Sequence, residues 1–383
     1  MAPLSAPELH QLATNLQAIL STTRYGCTSL TQLTGGTTSF VFLGTLHQPL
    51  PATHHGGNQE QEDSVIIKHA APFASCHTGF LVDAGRVKYE ALMLEALHRF
   101  APSNQAVAVK TPKLYHYDER ERVLGIQYIP DTRSLHECLD RLSKEQAERM
   151  GHALGTWLSA FHAWMDTPEQ SGLKAQLKQN KKEVELKWKL TWGQGTEVLD
   201  RLGDVVDEED RRMWDAACLT AWEDLGKEEK KGLVHGDFWA GNILVANTLA
   251  AEGSTGELHL HIIDFEFSHF ASRATDLGQF LGDLCERYYI HASPPFSILR
   301  VIVGFLTGHG PISEELKWRT AVYVGVHMVN WWSRGPPGRK DADESKRERG
   351  LGLVRTGVEF VKGGQEQDRR VFLDTPIAPL FEV

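Results

Sequence analysis

The chain has 383 residues, 41% of them hydrophobic and 23% charged, an ordinary globular composition at a length that favours two or three domains or lobes. Its formal net charge of -10, from 50 acidic against 40 basic residues, argues against a general nucleic-acid binder, which needs basic patches. Five cysteines without a Cys-x-x-Cys pair suggest neither a disulfide framework nor a zinc site, and the lack of a basic-then-apolar N-terminus or of an apolar run of about 18 residues leads to the expectation of a cytoplasmic protein with no membrane partner.

From the N-terminus, Ser5-Ala6-Pro7-Glu8 reads as a capping box with proline in the first turn. Leu9, Leu12, Leu16 and Ile19 follow at helical spacing and predict a helix over about 6–20. Residues 31–47 predict a strand, a Gly turn and a second strand rich in β-formers. Gly35 and Gly36 would let the backbone approach phosphates closely and Ser39 could donate to them, though a plain hairpin turn accounts for the same glycine pair. Residues 48–63 read as an exposed loop, and Val65-Ile66-Ile67-Lys68 as a strand ending in Lys68. Asp83 stands where it could cap a helix reaching about Phe100, with Val87, Ala91, Leu94 and Leu97 on one face and with Glu90 and Glu95 along it. Residues 113–117 and 124–130 predict the next antiparallel strands.

Ser143 and Gln146 form a second capping box before Ala147, Met150, Leu154, Leu158 and Phe161, a long helix ending near His162, which reads as a packed or capping histidine. Residues 165–231 carry lysine runs, then acidic residues with Trp188, Trp192, Trp214 and Trp222, as in a charged helical region with core tryptophans. The segment Val-His-Gly-Asp-Phe-Trp-Ala-Gly-Asn at 234–242 sets Asp237 and Asn242 five apart, with His235 two before the aspartate. Strands at 243–245 and 258–263 enclose an exposed loop and aim Asn242 and Asp264 together, where Asp264-Phe265-Glu266 begins. Asp276-Leu277-Gly278 opens a helix with Leu277, Leu281, Leu284 and Tyr288 in register. Helices near 297–308 and 313–333, a mobile charged loop at 336–349, a helix near 350–362 and an extended tail complete the expectation.

The double motif resembles the catalytic and metal loops of the protein kinase-like fold, and its His-Gly-Asp form is similar to the aminoglycoside phosphotransferase and choline kinase-like family of small-molecule kinases. The resemblance covers roughly 30–335. It implies an α+β, bilobal protein kinase-like fold: a β-rich nucleotide lobe with a leading helix over 1–126, a hinge at 127–131, and a mainly helical catalytic and substrate lobe over 132–383, with ATP between the lobes. It further implies an ATP- and Mg2+-dependent transfer to a small-molecule hydroxyl. Gly35, Gly36 and Ser39 would cover the phosphates; Lys68, paired with Glu90 in preference to Glu95, would bind them; backbone groups of Gln127 and Ile129 would meet the adenine. Asn242 and Asp264 would hold Mg2+, which takes one or two protein oxygens beside phosphates and waters. Asp237 would accept or orient the acceptor proton, a role worth about 10²–10⁴ in rate.

Asp276 resembles the helix-start aspartate that braces the catalytic loop in this family, and 165–231 falls where the family carries an acceptor-specific insert. Trp331 and Trp332 either wall a pocket for a sugar or ammonium group or pack in the core. Glu266 replaces the glycine of protein-kinase Asp-Phe-Gly, which favours a permanently assembled small-molecule kinase over a regulated protein kinase. A catalytically silent nucleotide-binding scaffold and a protein kinase are the alternative readings. Aminoglycosides, choline-like alcohols, methylthioribose, homoserine and ketosamines all stay open as acceptors, as do nucleotide preference and oligomeric state.

Overall fold

Residues with strand propensity dominate the first third of the chain and helix-period stripes the remainder, and the computed structural model follows that division. It describes all residues except 1, 34–36, 52–61, 101, 103–106, 204, 228–230, 247–258, 334–343 and 383. The chain divides into two compact units, Met1–Arg99 with Thr111–Pro130, and Phe100–Lys110 with Asp131–Val383.

In the first unit α1 (Ala6–Leu20) starts at the expected box: the Glu8 carboxylate accepts from the amide and the hydroxyl of Ser5 at 2.7 and 2.6 Å. Among the described residues the main sheet has the order β1 (Cys27–Gln32), β2 (Phe40–Leu50), β3 (Glu62–His69), β8 (Val123–Gln127), β7 (Leu114–Asp118), and every pairing is antiparallel. Period-two alternation turns Phe40 and Phe42 of β2 and Val65 and Ile67 of β3 to one face, where they pack with Leu16 and Leu20 of α1. A short hairpin, β4 (Phe73–Ala74) and β5 (His77–Leu81), follows. The helix α2 spans Arg86–Leu97 and begins three residues after Asp83. Gly85 occupies its N-cap position, and the Asp83 carbonyl accepts from the Arg86 guanidinium at 2.8 Å.

The second unit contains β6 (Ala108–Lys110), parallel beside β12 (His259–Ile262), then β11 (Ile243–Ala246) and β9 (Thr132–Ser134). Separately, β10 (Gly232–Val234) pairs with β13 (His269–Ala271). Around these lie α3 (Leu135–Cys138), α4 (Lys144–Met165), α5 (Ser171–Leu177), α6 (Lys181–Trp188), α7 (Gln194–Arg201), α8 (Glu208–Asp224), α9 (Ala274–Ile290), α10 (Phe296–His309), α11 (Glu314–Asn330) and α12 (Glu344–Glu366). The box at Ser143 and Gln146 starts α4 as expected. The 165–231 region is helical where described, with Trp192 and Trp214 buried and Trp222 51% exposed.

Two expectations fail near the C-terminus. The charged residues from 344 on are already helical and exposed, ahead of the buried stripe that begins at Gly350 and Leu353 in α12. Charge marks a solvated helical face there rather than a loop. The tail is not extended either: 3-10 turns at Arg369–Phe372 and Ala378–Phe381 bury Phe372 and Leu380, and Phe372, Phe381 and Trp318 form an aromatic cluster. Trp331 is 5% exposed and packs over Gly350, so it is a core residue. Among the described residues no helix is long and apolar enough to cross a membrane.

The helices α4 and α10 approach closely. Gly151 and Gly155 on α4 face the carbonyls of Val301 and Phe305, and Gly304 and Gly308 on α10 face those of Glu148 and His152. A Cβ at any of the four would overlap main-chain oxygen, which cannot rotate away. Thr156 adds a hydroxyl hydrogen bond to the Gly308 carbonyl at 3.1 Å. We expect Gly155→Ala to destabilise the protein by about 1–3 kcal/mol despite alanine's better helix propensity, read as a lower urea midpoint at unchanged slope.

Candidate active site

The segment after β10 that carries Asp237 and Asn242 is shaped first by Gly236. Its φ of 82° lies in the left-handed region, and a Cβ would overlap the Phe267 carbonyl. Glycine is therefore required between His235 and Asp237. His235 is fully buried; its Nδ1 accepts from the Asp237 amide at 3.2 Å and its Nε2 lies 3.1 Å from the Ile263 carbonyl. That pairing calls for the neutral ring protonated on Nε2, and burial, outweighing nearby carboxylates, holds its pKa below the usual histidine value. His235 thus ties the loop of Asp237 to the residue preceding Asp264.

The β11–β12 hairpin supplies the second alignment. Ile243 pairs with Ile262, and the Ile263 amide donates to the Asn242 carbonyl at 3.0 Å. This register brings Asn242 and Asp264 to the same end of the hairpin. Asp264 itself takes a left-handed conformation, φ 72° and ψ 61°, before a 3-10 turn over Phe265–Phe267. A left-handed conformation at a non-glycine residue is strained and must be held by its surroundings, and Glu266, two residues on, is buried.

One face of α9 holds the loop from beneath. Asp276, in its first turn, accepts from the amides of His235 and Gly236 at 2.9 and 3.0 Å and from His162 of α4 at 3.0 Å. His162 is therefore a packed partner, as expected, and the bracing role expected of Asp276 is present in the geometry. Gln279 donates to Asp237 Oδ1 at 2.7 Å, and Asp283 accepts from the Ala240 amide at 3.3 Å. Asp276, Gln279 and Asp283 recur at i, i+3 and i+7, one stripe of the helix. Sequence reasoning named only the first. A polar stripe on a helix whose other positions include buried Leu277, Leu281 and Leu284 was the available signal.

Asp237 is 22% exposed and accepts three side-chain donors. Gln279 and Lys187 reach Oδ1, the latter at 3.0 Å, and Asn242 Nδ2 reaches Oδ2 at 2.9 Å while also donating to the Asp237 carbonyl at 2.9 Å. Burial pushes the carboxyl pKa up, but the Lys187 charge and the hydrogen bonds from Gln279 and Lys187 outweigh it and hold the group below the usual carboxylate range. Lys187, near the end of α6, was not among the sequence candidates.

The remaining predicted residues fall in the first unit. Lys68 Nζ lies 2.7 Å from Glu90 Oε1, and both are buried; Glu90, not Glu95, is the partner. Ser39 is buried, and its oxygen accepts from Arg86, whose guanidinium also donates to the carbonyls of Thr38 and Ala71. This fully buried arginine, missed from sequence, fixes the segment after the Gly pair. Gly35 and Gly36 lie outside the described residues. The Gln127 amide donates to the Lys113 carbonyl at 2.9 Å, so its N–H is committed within the sheet and the expected adenine contact cannot use it in this conformation. Ile129 follows β8 and is half-buried.

The chain is 26% identical over 385 residues to the phosphotransferase FrzJ of Cladobotryum sp, covering 94% of each protein. It is 23% identical over 351 residues to a 4-hydroxytryptamine kinase of Psilocybe cyanescens, covering 88% of each. Among solved structures it is similar to the amicoumacin kinase hAmiN in complex with AMP-PNP, Ca2+ and Ami, with a TM-score of 0.50 and 12% identity over 95% of this chain and 97% of that one. This last likeness concerns the fold alone, which is the mixed α+β, protein kinase-like fold expected from sequence. Residues 84–305, more than half of the chain and reaching from α2 into α10, match the model of the phosphotransferase enzyme family, APH. The chain belongs to that family and is a phosphotransferase.

Proposed function

We propose that this phosphotransferase moves the γ-phosphate of ATP to a hydroxyl of a small molecule, with Mg2+ as its metal and Asp237 as the group that receives or orients the acceptor proton. The observation that carries the reading is the clamp between Asn242 and Asp237. Both donors of the Asn242 amide nitrogen are spent on Asp237 oxygens, which turns Oδ1 of Asn242 away from Asp237 and leaves it to serve a hard cation. Asp264 supplies a carboxylate on the neighbouring residue of the hairpin. An amide oxygen and a carboxylate are the donor types Mg2+ takes. When bound, the metal would neutralise phosphate charge.

Asp237 has about four lone-pair positions as a carboxylate. Three are filled by Lys187, Gln279 and Asn242, and the vacancy on Oδ2 is where the acceptor hydroxyl would donate. In the first unit the Lys68–Glu90 pair holds an ammonium ready for phosphates, with Gly35, Gly36 and Ser39 covering them, and with the Gln127 carbonyl and the Ile129 backbone serving the base. We assign nucleotide handling to 1–126, the hinge to 127–131, and acceptor handling to 132–383.

The test is a thermal-shift titration with Mg·ATP, then ADP release across a panel of amino sugars, choline-like alcohols, hydroxy amino acids and, prompted by the named relative, hydroxytryptamines. We expect stabilisation by Mg·ATP and acceptor-dependent ADP release with at least one class. Nucleotide binding with no acceptor consumed in any class would favour the scaffold reading instead.

A further inference from the structure

In the proposed reaction Lys187 only fills a lone pair of Asp237, yet its ammonium is held from several sides. Its ammonium lies 3.0 Å from Asp237 Oδ1 and 3.0 Å from Gln279 Oε1, with the Phe267 ring centroid 5.4 Å away. It is 13% exposed. The helix that carries it is anchored at its other end by Asn180, whose buried amide donates to the Ser268 carbonyl at 2.9 Å. Directly after Trp188 the backbone widens into a π turn over Lys189–Gly193. Such turns are found frequently at functional sites, where the extra residue re-aims its neighbours. Thus α6 forms a strap from the segment after Asp264 to the catalytic aspartate.

We infer that Lys187 is a specificity-determining residue that reserves Asp237 for a bound acceptor and withholds it from water. The inference rests on Asp237 being the proton acceptor. In the resting arrangement both lone pairs of Oδ1 are occupied, and the cation neutralises the carboxylate. A water molecule meets one vacant position, beside a positive charge that disfavours taking its proton. An acceptor held by its own contacts donates its hydroxyl to the vacancy on Oδ2 and draws the ammonium off Oδ1, Lys187 turning its donors to an oxygen of the acceptor or of the moving phosphoryl group. The acceptor oxygen then bonds to the γ-phosphorus as the bond from phosphorus to the β,γ-bridging oxygen breaks. The hydroxyl proton passes to Asp237 and then to solvent, and ADP departs. With water in place of the acceptor the same bonds change and inorganic phosphate forms.

Phosphate release from Mg·ATP in the absence of any acceptor tests this on the full chain. Lys187→Met is expected to hydrolyse ATP about tenfold faster than wild type or more. Lys187→Arg, which keeps a cation within reach of the same oxygen, is expected to recover most of the suppression. The double variant Lys187→Met, Asp237→Asn is expected to lose the gain, because the gain runs through Asp237. Hydrolysis by Lys187→Met at or below the wild-type rate overturns the inference, and so does a gain that survives in the double variant. Lys187→Gln, of similar reach without charge, repeats the test if the Met variant does not fold. Failure of the underlying reading looks different: Asp237→Asn alone would then retain acceptor-dependent transfer.

Discussion

Asp237→Asn is expected to lower acceptor-dependent turnover by about 10²–10⁴ while leaving the fold and Mg·ATP affinity little changed. Asparagine preserves the shape and one acceptor oxygen, so Lys187 and Gln279 keep a partner on that side, and Asn242, losing its bond to Oδ2, is still held by the carbonyl of residue 237. What it removes is the negative charge and the ability to take a proton. Against the pull of burial, the Lys187 charge and the hydrogen bonds from Gln279 and Lys187 hold the wild-type carboxylate in its ionised form. Initial rates of ADP release with the acceptor found in the panel, alongside calorimetric titration with Mg·ATP, check both halves of the expectation. Turnover near the wild-type value would remove Asp237 from the chemistry.

Asp276→Ala is expected to have the largest effect on stability, about 3–5 kcal/mol. The side chain is wholly buried and satisfies two loop amides and the His162 ring at once. Truncation leaves three buried donors without a partner, at about 1–3 kcal/mol for each group left unsatisfied, with the sum reduced by relaxation and entering water. The effect also has a pH signature. Burial raises the Asp276 pKa, but the His162 hydrogen bond and charge, with the Gly236 amide, outweigh it and leave the folded value below the unfolded one. A lowered carboxylate pKa contributes stability above the unfolded value, about 3.9, and that contribution disappears as pH falls through the folded value. The gap between wild type and variant in urea titrations should therefore be full near neutrality and shrink in acid below about pH 4. A gap that stays constant through that range would show that ionisation of Asp276 contributes nothing.

How much of this was legible depends on how local each signal is. Asp237, Asn242 and Asp264 could be read because a short loop and one hairpin align them, and the spacing within a hairpin is a sequence property. Asp276 was legible because helix-start carboxylates recur in a recognisable place. Lys187 was not, because it arrives from fifty residues upstream inside a lysine-rich run in which nothing local separates it from its neighbours Lys181, Lys182 and Lys189. Arg86 escaped for a related reason: a helix-start arginine reads as surface until the carbonyls of Thr38, Ala71 and Asp83 are seen around it. Gln127 shows the opposite limit. Its position was readable, but strand pairing decides which backbone groups remain available, and Lys113 had taken its amide.

The four glycines between α4 and α10 bear on how this protein can diversify. At these four points each polypeptide backbone touches the other with no side chain to swap, so substitution there can only push the helices apart. His162, two turns along α4 from Gly155, grips Asp276 from that unyielding beam. Change is therefore easier in the helices of 165–231, which meet their neighbours through side chains such as Trp192 and Trp214, while the beam keeps Asp276 in place.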